Sequence, residues 1–167
     1  MPCRIPAARP LAELVSRAPQ CVFLPSACPE GIFLPLYASR VPAGFPSPAD
    51  DHLEAPLNLN DYLVRRPETT FFVRVAGESM TGAGILDGDL LVVDRFLEPA
   101  DRDIVIAVVA SELTVKRLCL ESGRYWLRPE NPAFSAIPVH AEAGIEIWGV
   151  VTAVVRPLER GRKSRVR

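Results

Sequence analysis

The chain has 167 residues, of which 49% are hydrophobic and 23% are charged, and its formal net charge is −1. This length and composition are typical of one soluble globular domain with a core of its own. The nearly balanced charge argues against a protein that holds nucleic acid on a broad basic face, so strong direct DNA binding is not expected.

The first third of the chain is rich in proline, because eleven of the 17 prolines fall between Pro2 and Pro56. Proline fixes its own backbone and lacks an N–H donor, so this region is predicted to be an extended or irregular arm. Leu11 to Arg17 is bracketed closely by Pro10 and Pro19 and has room for one or two helical turns. A helix-turn-helix needs more uninterrupted helix than this.

Neither a membrane span nor a metal site is expected from the sequence. The apolar runs at 21–24 and 32–38 are too short to cross a bilayer, and no clean signal peptide is present. The four cysteines, at positions 3, 21, 28 and 119, form no C-x-x-C pair and have no histidine at ligand spacing. Free thiols fit a reducing cytoplasm, and no cofactor or metal is predicted.

From Thr69 onward, short β-rich runs alternate with turn residues, which favours an all-β domain of strongly curved antiparallel sheets. Tight turns are expected at Asp87-Gly88-Asp89 and at Ser122-Gly123. The predicted strands are Thr70 to Ala76, Leu90 to Arg95, Asp103 to Val109, Leu113 to Leu120, Tyr125 to Arg128, Ala136 to Val139 and Ile145 to Val155.

Ser79 is the first candidate for chemistry, since it lies where a predicted strand ends and a glycine-rich stretch begins. Backbone N–H groups at such a position are often unpaired and can form an oxyanion hole, here from Ser79 and Met80. The alternative is an ordinary cap or turn serine, which describes most serines at strand ends.

Lys116 is the second candidate, because it lies within the apolar run Glu112 to Leu120 and the chain has only one other lysine, Lys163. A lysine buried among apolar neighbours can lose its proton near neutral pH and serve as a general base for a serine. The alternative is a side chain that extends along a sheet edge with its ammonium in water. His52, in the proline-rich segment, and His140, in a polar loop, are interpreted as surface residues.

The third candidate is a substrate within the chain itself. Ala43-Gly44 is a peptide bond between two small residues, in a segment that prolines keep extended. An extended segment of this kind can be laid into a cleft as a strand. Glycine after the carbonyl carbon minimises crowding as a serine oxygen approaches.

Taken in order, these motifs resemble the LexA/UmuD family of self-cleaving proteins over about residues 33–158. The motifs are Ala43-Gly44-Phe45-Pro46-Ser47-Pro48-Ala49, Val75-Ala76-Gly77-Glu78-Ser79-Met80, Gly88-Asp89-Leu90-Leu91-Val92-Val93-Asp94, Asp103-Ile104-Val105-Ile106-Ala107, Leu113-Thr114-Val115-Lys116-Arg117-Leu118 and Gly149-Val150-Val151. One such motif is weak evidence, whereas the ordered series is strong.

The resemblance implies a serine endopeptidase in which Ser79 is the nucleophile, Lys116 the general base and Ala43-Gly44 the bond that is cut. It also implies a cytoplasmic homodimer whose cleavage is promoted by a RecA filament on single-stranded DNA. The product would join a UmuC-like Y-family polymerase in error-prone translesion synthesis during the SOS response. UmuD-like proteins usually have cysteine where this chain has Ala43, and either small residue fits a narrow cleft.

The resemblance also divides the chain. Residues 1–43 are predicted to be an arm removed by self-cleavage, 44–68 a linker, 69–158 the peptidase domain and 159–167 a basic tail. Residues 1–32 have no clear counterpart in the family and are interpreted as an inert extension, with a docking segment and the product of a misassigned start codon as alternatives. The alternatives are a LexA-like repressor inactivated by the same cleavage, a membrane signal peptidase, which would need an anchoring segment, and a binding module with a vestigial serine-lysine pair.

Overall fold

The fold is described from a computed structural model. The structure describes residues 31–36, 43, 53, 55–139 and 144–158, together with the backbone of residues 22–23. The basic tail, and the possible helical turns between Leu11 and Arg17, lie outside these residues.

The described part of the chain is mainly β. Its strands are β1 (Val22–Phe23), β2 (Phe33–Leu34), β3 (Leu57–Asn58), β4 (Thr70–Arg74), β5 (Leu90–Asp94), β6 (Ile104–Val109), β7 (Glu112–Glu121), β8 (Arg124–Arg128), β9 (Ile137–Pro138) and β10 (Glu146–Val155). A short helix, α1 (Leu59–Leu63), follows β3, and a 3-10 helix (Thr81–Ala83) lies between β4 and β5.

Eight of these strands form one antiparallel sheet in the order β1-β4-β5-β10-β6-β7-β8-β9, and β2 pairs with β3 in a second, small sheet. The strand β10 lies between β5 and β6 and pairs with both, with register shifts at Val151/Ala153 and at Ile147/Gly149. Irregularities of this kind bend a strand and increase its twist. One long, bent strand therefore joins the two halves of the sheet.

The prediction of a mainly β, antiparallel fold is confirmed. All seven strands predicted from the sequence are present, and their ends differ from the prediction by at most two residues. The turn residues behave as expected, with positive φ at Gly88 (82°), Ser122 (50°) and Gly123 (76°). The elements β3 and α1 lie within the segment predicted to be a linker, and the side chain of Asn58 caps α1 by accepting the N–H of Asn60.

Two apolar clusters flank the main sheet. Along β6, Val105 and Ala107 belong to one cluster, while Ile106 between them belongs to the other. Successive strand residues point to opposite faces, so this alternation places a core on each side of the sheet. Met80, only 1% exposed, belongs to the same cluster as Ile106 and fixes the chain next to Ser79.

Leu118→Ala is expected to destabilise the fold, because Leu118 is fully buried and its removal leaves a cavity in a packed core. The expected loss in the free energy of unfolding is about 2–5 kcal/mol. Leu120, on the same strand and 45% exposed, is the matched control, and Leu120→Ala should cost less than about 1 kcal/mol. Urea unfolding followed by circular dichroism measures both. Equal losses would show that this core assignment is wrong.

Within the described residues, no helix is long and apolar enough to cross a membrane.

Candidate active site

Ser79 lies in a tight loop that follows β4. Gly77 opens the loop with φ of +91°, a backbone conformation that favours glycine, and its N–H donates to Asp87 Oδ1 over 2.7 Å. Ser79 itself is half-buried, while the next residue, Met80, is packed into the core. The loop therefore presents the serine side chain while its neighbour anchors the backbone.

The chain after Ser79 is tied back to the end of β10. Asp89 is 2% exposed, and its carboxylate accepts the N–H of Leu86 at 2.7 Å and Arg156 Nε at 2.6 Å. The hydrogen bond from Arg156 lowers the pKa of Asp89 against the opposing effect of burial. Arg156 Nη2 also donates to Gly84 O at 2.6 Å, so one guanidinium holds both ends of the segment that follows the serine loop.

Lys116 reaches the serine from β7. Its residue pairs with Val105 on β6, and its side chain is largely buried, with 7% of the residue exposed. Nζ lies 2.9 Å from each of three oxygens: Ser79 Oγ, Thr114 Oγ1 and the carbonyl of Val115. The two residues that the sequence analysis singled out, 37 positions apart, are thus brought into hydrogen-bonding contact.

Burial lowers the pKa of Lys116 from the usual value for lysine, since a charged ammonium loses hydration when it is taken from water. No carboxylate in the described part of the chain forms an ion pair with it that would oppose this effect. The site therefore favours a neutral amine at lower pH than water does, and a neutral amine can accept a proton.

The three neighbours of Nζ also determine where its lone pair points. A protonated amine has three N–H groups, which the three oxygens can accept. After deprotonation two N–H groups remain, and the carbonyl of Val115 and the hydroxyl of Thr114 can accept them. The lone pair is then left facing Ser79 Oγ, which is the geometry that a general base requires. Thr114 and the Val115 carbonyl were missed by the sequence analysis, because a strand pattern does not show which groups surround a buried side chain.

Lys116→Met is expected to stabilise the protein most near neutral pH. Below the folded-state pKa, the wild type carries a buried charge that the variant lacks. At pH values between the lowered pKa of Lys116 in the folded protein and its higher pKa in the unfolded chain, the unfolded chain binds more protons than the folded protein does. The free energy of unfolding of the wild type therefore rises with pH in this range. The advantage of the variant should therefore shrink as pH rises. Urea titrations from about pH 7 to 10 measure it, and a constant difference would contradict a depressed Lys116 pKa.

The backbone beside Ser79 has free donors. Neither the N–H of Ser79 nor that of Met80 donates to an acceptor in the described part of the chain. Two N–H groups on consecutive residues next to a hydroxyl are suited to stabilising the oxygen of a tetrahedral intermediate.

The predicted scissile bond and the two histidines lie largely outside the described residues. Ala43 is described in isolation and is exposed. Gly44, His52 and His140 lie outside the described residues. Among the residues that are described, no group of three or more histidine, cysteine, aspartate or glutamate side chains is placed to hold a metal ion.

Comparison with known proteins gives the family. Residues 35–152, well over half of the chain, match the peptidase S24-like family. The chain belongs to this peptidase family. Membership supports peptidase activity and confirms the predicted LexA/UmuD relationship.

Curated relatives of this chain include UmuD-like proteins and, at lower identity, a LexA repressor. Protein SamA of Salmonella typhimurium is 50% identical over 121 residues, which are 72% of this chain and 84% of SamA. Protein MucA of Escherichia coli is 47% identical over 120 residues, 71% of this chain and 82% of MucA. The LexA repressor of Bordetella petrii is more distant, at 40% over 126 residues, which cover 75% of this chain and 55% of the repressor.

Proposed function

We propose that this S24 peptidase is a UmuD-like SOS-response protein that cleaves itself between Ala43 and Gly44. The observation that carries the proposal is the 2.9 Å contact between Ser79 Oγ and the nearly buried Lys116 Nζ. A hydroxyl and a desolvated amine at this distance form a nucleophile and base of the serine-lysine type.

The proposed reaction begins when neutral Lys116 takes the proton of Ser79 and the serine oxygen attacks the carbonyl carbon of Ala43. The N–H groups of Ser79 and Met80 hold the resulting oxyanion. As the intermediate collapses, the bond from Ala43 to Gly44 breaks and the proton on Lys116 passes to the Gly44 amine. Water, deprotonated by Lys116, then hydrolyses the ester on Ser79 and releases residues 1–43 with a free carboxylate.

The rate in this scheme depends on docking of the segment around Ala43 over the site. An apolar segment laid across Ser79 excludes water and favours the neutral form of Lys116. A RecA filament on single-stranded DNA promotes the docked state as a conformational partner and contributes no catalytic residue, which is a population shift. The protein acts as a cytoplasmic homodimer, and either chain of the pair can supply the segment that is cut.

The proposed role of the product, residues 44–167, is that of an accessory subunit for a UmuC-like Y-family polymerase in error-prone translesion synthesis. Its support is the family relationship to the UmuD-like relatives at 47–50% identity. In this proposal, removal of residues 1–43 exposes the surface that the arm covers, and the polymerase binds to that surface.

The 40% identity to a LexA repressor favours a second candidate, a transcriptional repressor inactivated by the same cleavage. The two candidates differ in DNA binding. A repressor retains promoter DNA sequence-specifically at physiological salt before it is cut. The polymerase subunit does not.

The test uses full-length protein near neutral pH with RecA, single-stranded DNA and a nucleotide. Wild type should yield residues 44–167 faster than it does without the filament, and Ser79→Ala should yield none. RecA without single-stranded DNA is the control. The purified product should then co-elute with a Y-family polymerase of the UmuC type. A cleavage rate near neutral pH that the filament does not raise, or a product that does not bind the polymerase, would contradict the proposed SOS role.

A further inference from the structure

The loop of Ser79 is held by a segment distant in sequence. The N–H of Glu130 donates to Ser79 O at 2.9 Å, and the carbonyl of Glu130 accepts the N–H of Gly82 at 2.7 Å. Asn131 Nδ2 donates to Glu78 O at 2.9 Å. Three hydrogen bonds with two consecutive residues, Glu130 and Asn131, therefore hold the chain on both sides of the Ser79 side chain.

The approach of this segment requires glycine at position 82. A Cβ built on Gly82 would overlap the carbonyl oxygen of Glu130. Because that neighbour is backbone, it cannot turn aside as a flexible side chain would. The close contact between the segments at Gly82 and Glu130 therefore depends on the glycine.

The side chain of Glu130 connects this segment to the strand of Lys116. Its Oε1 forms an ion pair with Nε of Arg117, the residue that directly follows Lys116 on β7. Arg117 Nη1 also donates to Arg102 O at 2.7 Å, which fixes the guanidinium. Neither Arg117 nor Glu130 is among the described hydrogen-bonding partners of Lys116 Nζ. A continuous set of contacts therefore runs from the lysine strand to the serine backbone without passing through the reacting atoms.

We propose that Arg117 and Glu130 are a positioning pair that sets the distance between Lys116 Nζ and Ser79 Oγ for the self-cleavage proposed above. Within the described part of the chain, the side chains of the pair form no hydrogen bond with Lys116 Nζ or with Ser79 Oγ. It fixes the backbone of the serine loop relative to β7, while Asn131 fixes the same loop on the other side of Ser79.

The charge pair is suited to positioning and contributes little to global stability. The side chains of Arg117 and Glu130 are 23% and 33% exposed. Ion pairs that retain contact with water add little to the free energy of unfolding. Displacement of a catalytic group by about 1 Å, in contrast, can lower a rate by about 10²-fold. Loss of the pair should therefore change the rate much more than the stability.

The experiment compares self-cleavage rates of purified full-length proteins at alkaline pH without RecA, so that filament binding does not enter. The variants are Arg117→Gln, Glu130→Gln and the double exchange Arg117→Glu with Glu130→Arg. The matched control is Arg128→Gln, which breaks the exposed ion pair between Arg128 and Glu121 on the adjacent strands. Each single variant should be slower than wild type by about 10- to 100-fold, and the control should differ by less than about 2-fold.

Two further measurements separate positioning from a merely structural role. The double exchange should regain at least part of the lost rate, since it restores opposite charges at the same place. In the single variants the pH midpoint of the rate should move upward, because a displaced serine loop admits water to Lys116 and weakens the burial that lowers its pKa. Thermal unfolding of each variant shows whether the compared proteins are folded.

Normal rates in folded Arg117→Gln and Glu130→Gln would overturn the proposal. A slow rate with an unshifted midpoint and no recovery in the double exchange would also overturn it. If either variant fails to fold, Asn131→Ala tests the same loop by rate and midpoint. This change removes the hydrogen bond to Glu78 O and the one that Asn131 Oδ1 accepts from the N–H of Ala133. Absence of cleavage in the wild type would contradict the proposed function itself. If the wild type cleaves itself and the variants do so at the same rate, only the proposal of a positioning pair is overturned.

Discussion

Lys116→Met is expected to reduce self-cleavage by at least about 10³-fold, and Ser79→Ala should have an effect at least as large. Methionine has nearly the length of lysine and keeps the buried packing, but it has no amine to accept the serine proton. Because nucleophile and base act as a unit, removal of either leaves only the contribution of the oxyanion donors and of substrate positioning. The measurement is the rate at which full-length chain disappears, followed by gel densitometry or intact mass.

The chain provides an internal control for this experiment, since Lys163 is its only other lysine. Lys163→Met changes the formal net charge by the same amount and should cleave at the wild-type rate. If Lys116→Met cleaves within about 10-fold of wild type, Lys116 is not the general base. Equal loss in both lysine variants would point to an effect of net charge.

The rate of wild-type self-cleavage is expected to rise with pH and to level off below the pH at which lysine in water is half deprotonated. Protonated Lys116 has no lone pair for the serine proton, so the rate follows the neutral fraction. Burial lowers the pKa of Lys116, which moves the rise toward neutral pH. Rates measured from about pH 6 to 11, at constant ionic strength, define the midpoint.

Ser79→Ala, incubated at each pH in parallel, is the control for chemical hydrolysis and contaminating protease. A rate that is independent of pH, or one that falls as the solution becomes alkaline, would contradict a lysine base. A midpoint at the ordinary value for lysine would show that the amine is hydrated during the reaction and that burial does not tune it.

The sheet was predictable from the sequence because its signal is local. Alternating apolar residues and turn pairs such as Ser122-Gly123 mark the strands directly, and the ends were correct to within two residues. The short elements β1, β2, β3 and α1 were missed, since two-residue strands and a five-residue helix have no clear periodic pattern. A helix this short is stabilised chiefly by tertiary contacts and by its Asn58 cap.

The site was predictable only in part. The serine at a strand end and the lysine within an apolar run stood out by residue type and position, and the family resemblance strengthened their pairing. The groups that hold the serine loop in place belong to segments that are distant in sequence. Glu130, which bonds to Ser79, lies 51 positions from it, and Arg156 lies 67 positions from its partner Asp89. No local pattern marks a backbone amide that donates to a serine carbonyl. The scissile bond is a prediction from sequence alone, because Gly44 lies outside the described residues.

The most direct test of a serine-lysine pair acting on Ala43-Gly44 is the intact mass of purified wild type, Ser79→Ala and Lys116→Ala. Each protein is incubated at about pH 9 to 10, where a lysine base is more often neutral, with and without activated RecA. The account predicts a species beginning at Gly44 and its complement ending at Ala43 in the wild type alone. An uncut wild type under both conditions, or the same fragments from either variant, would contradict it.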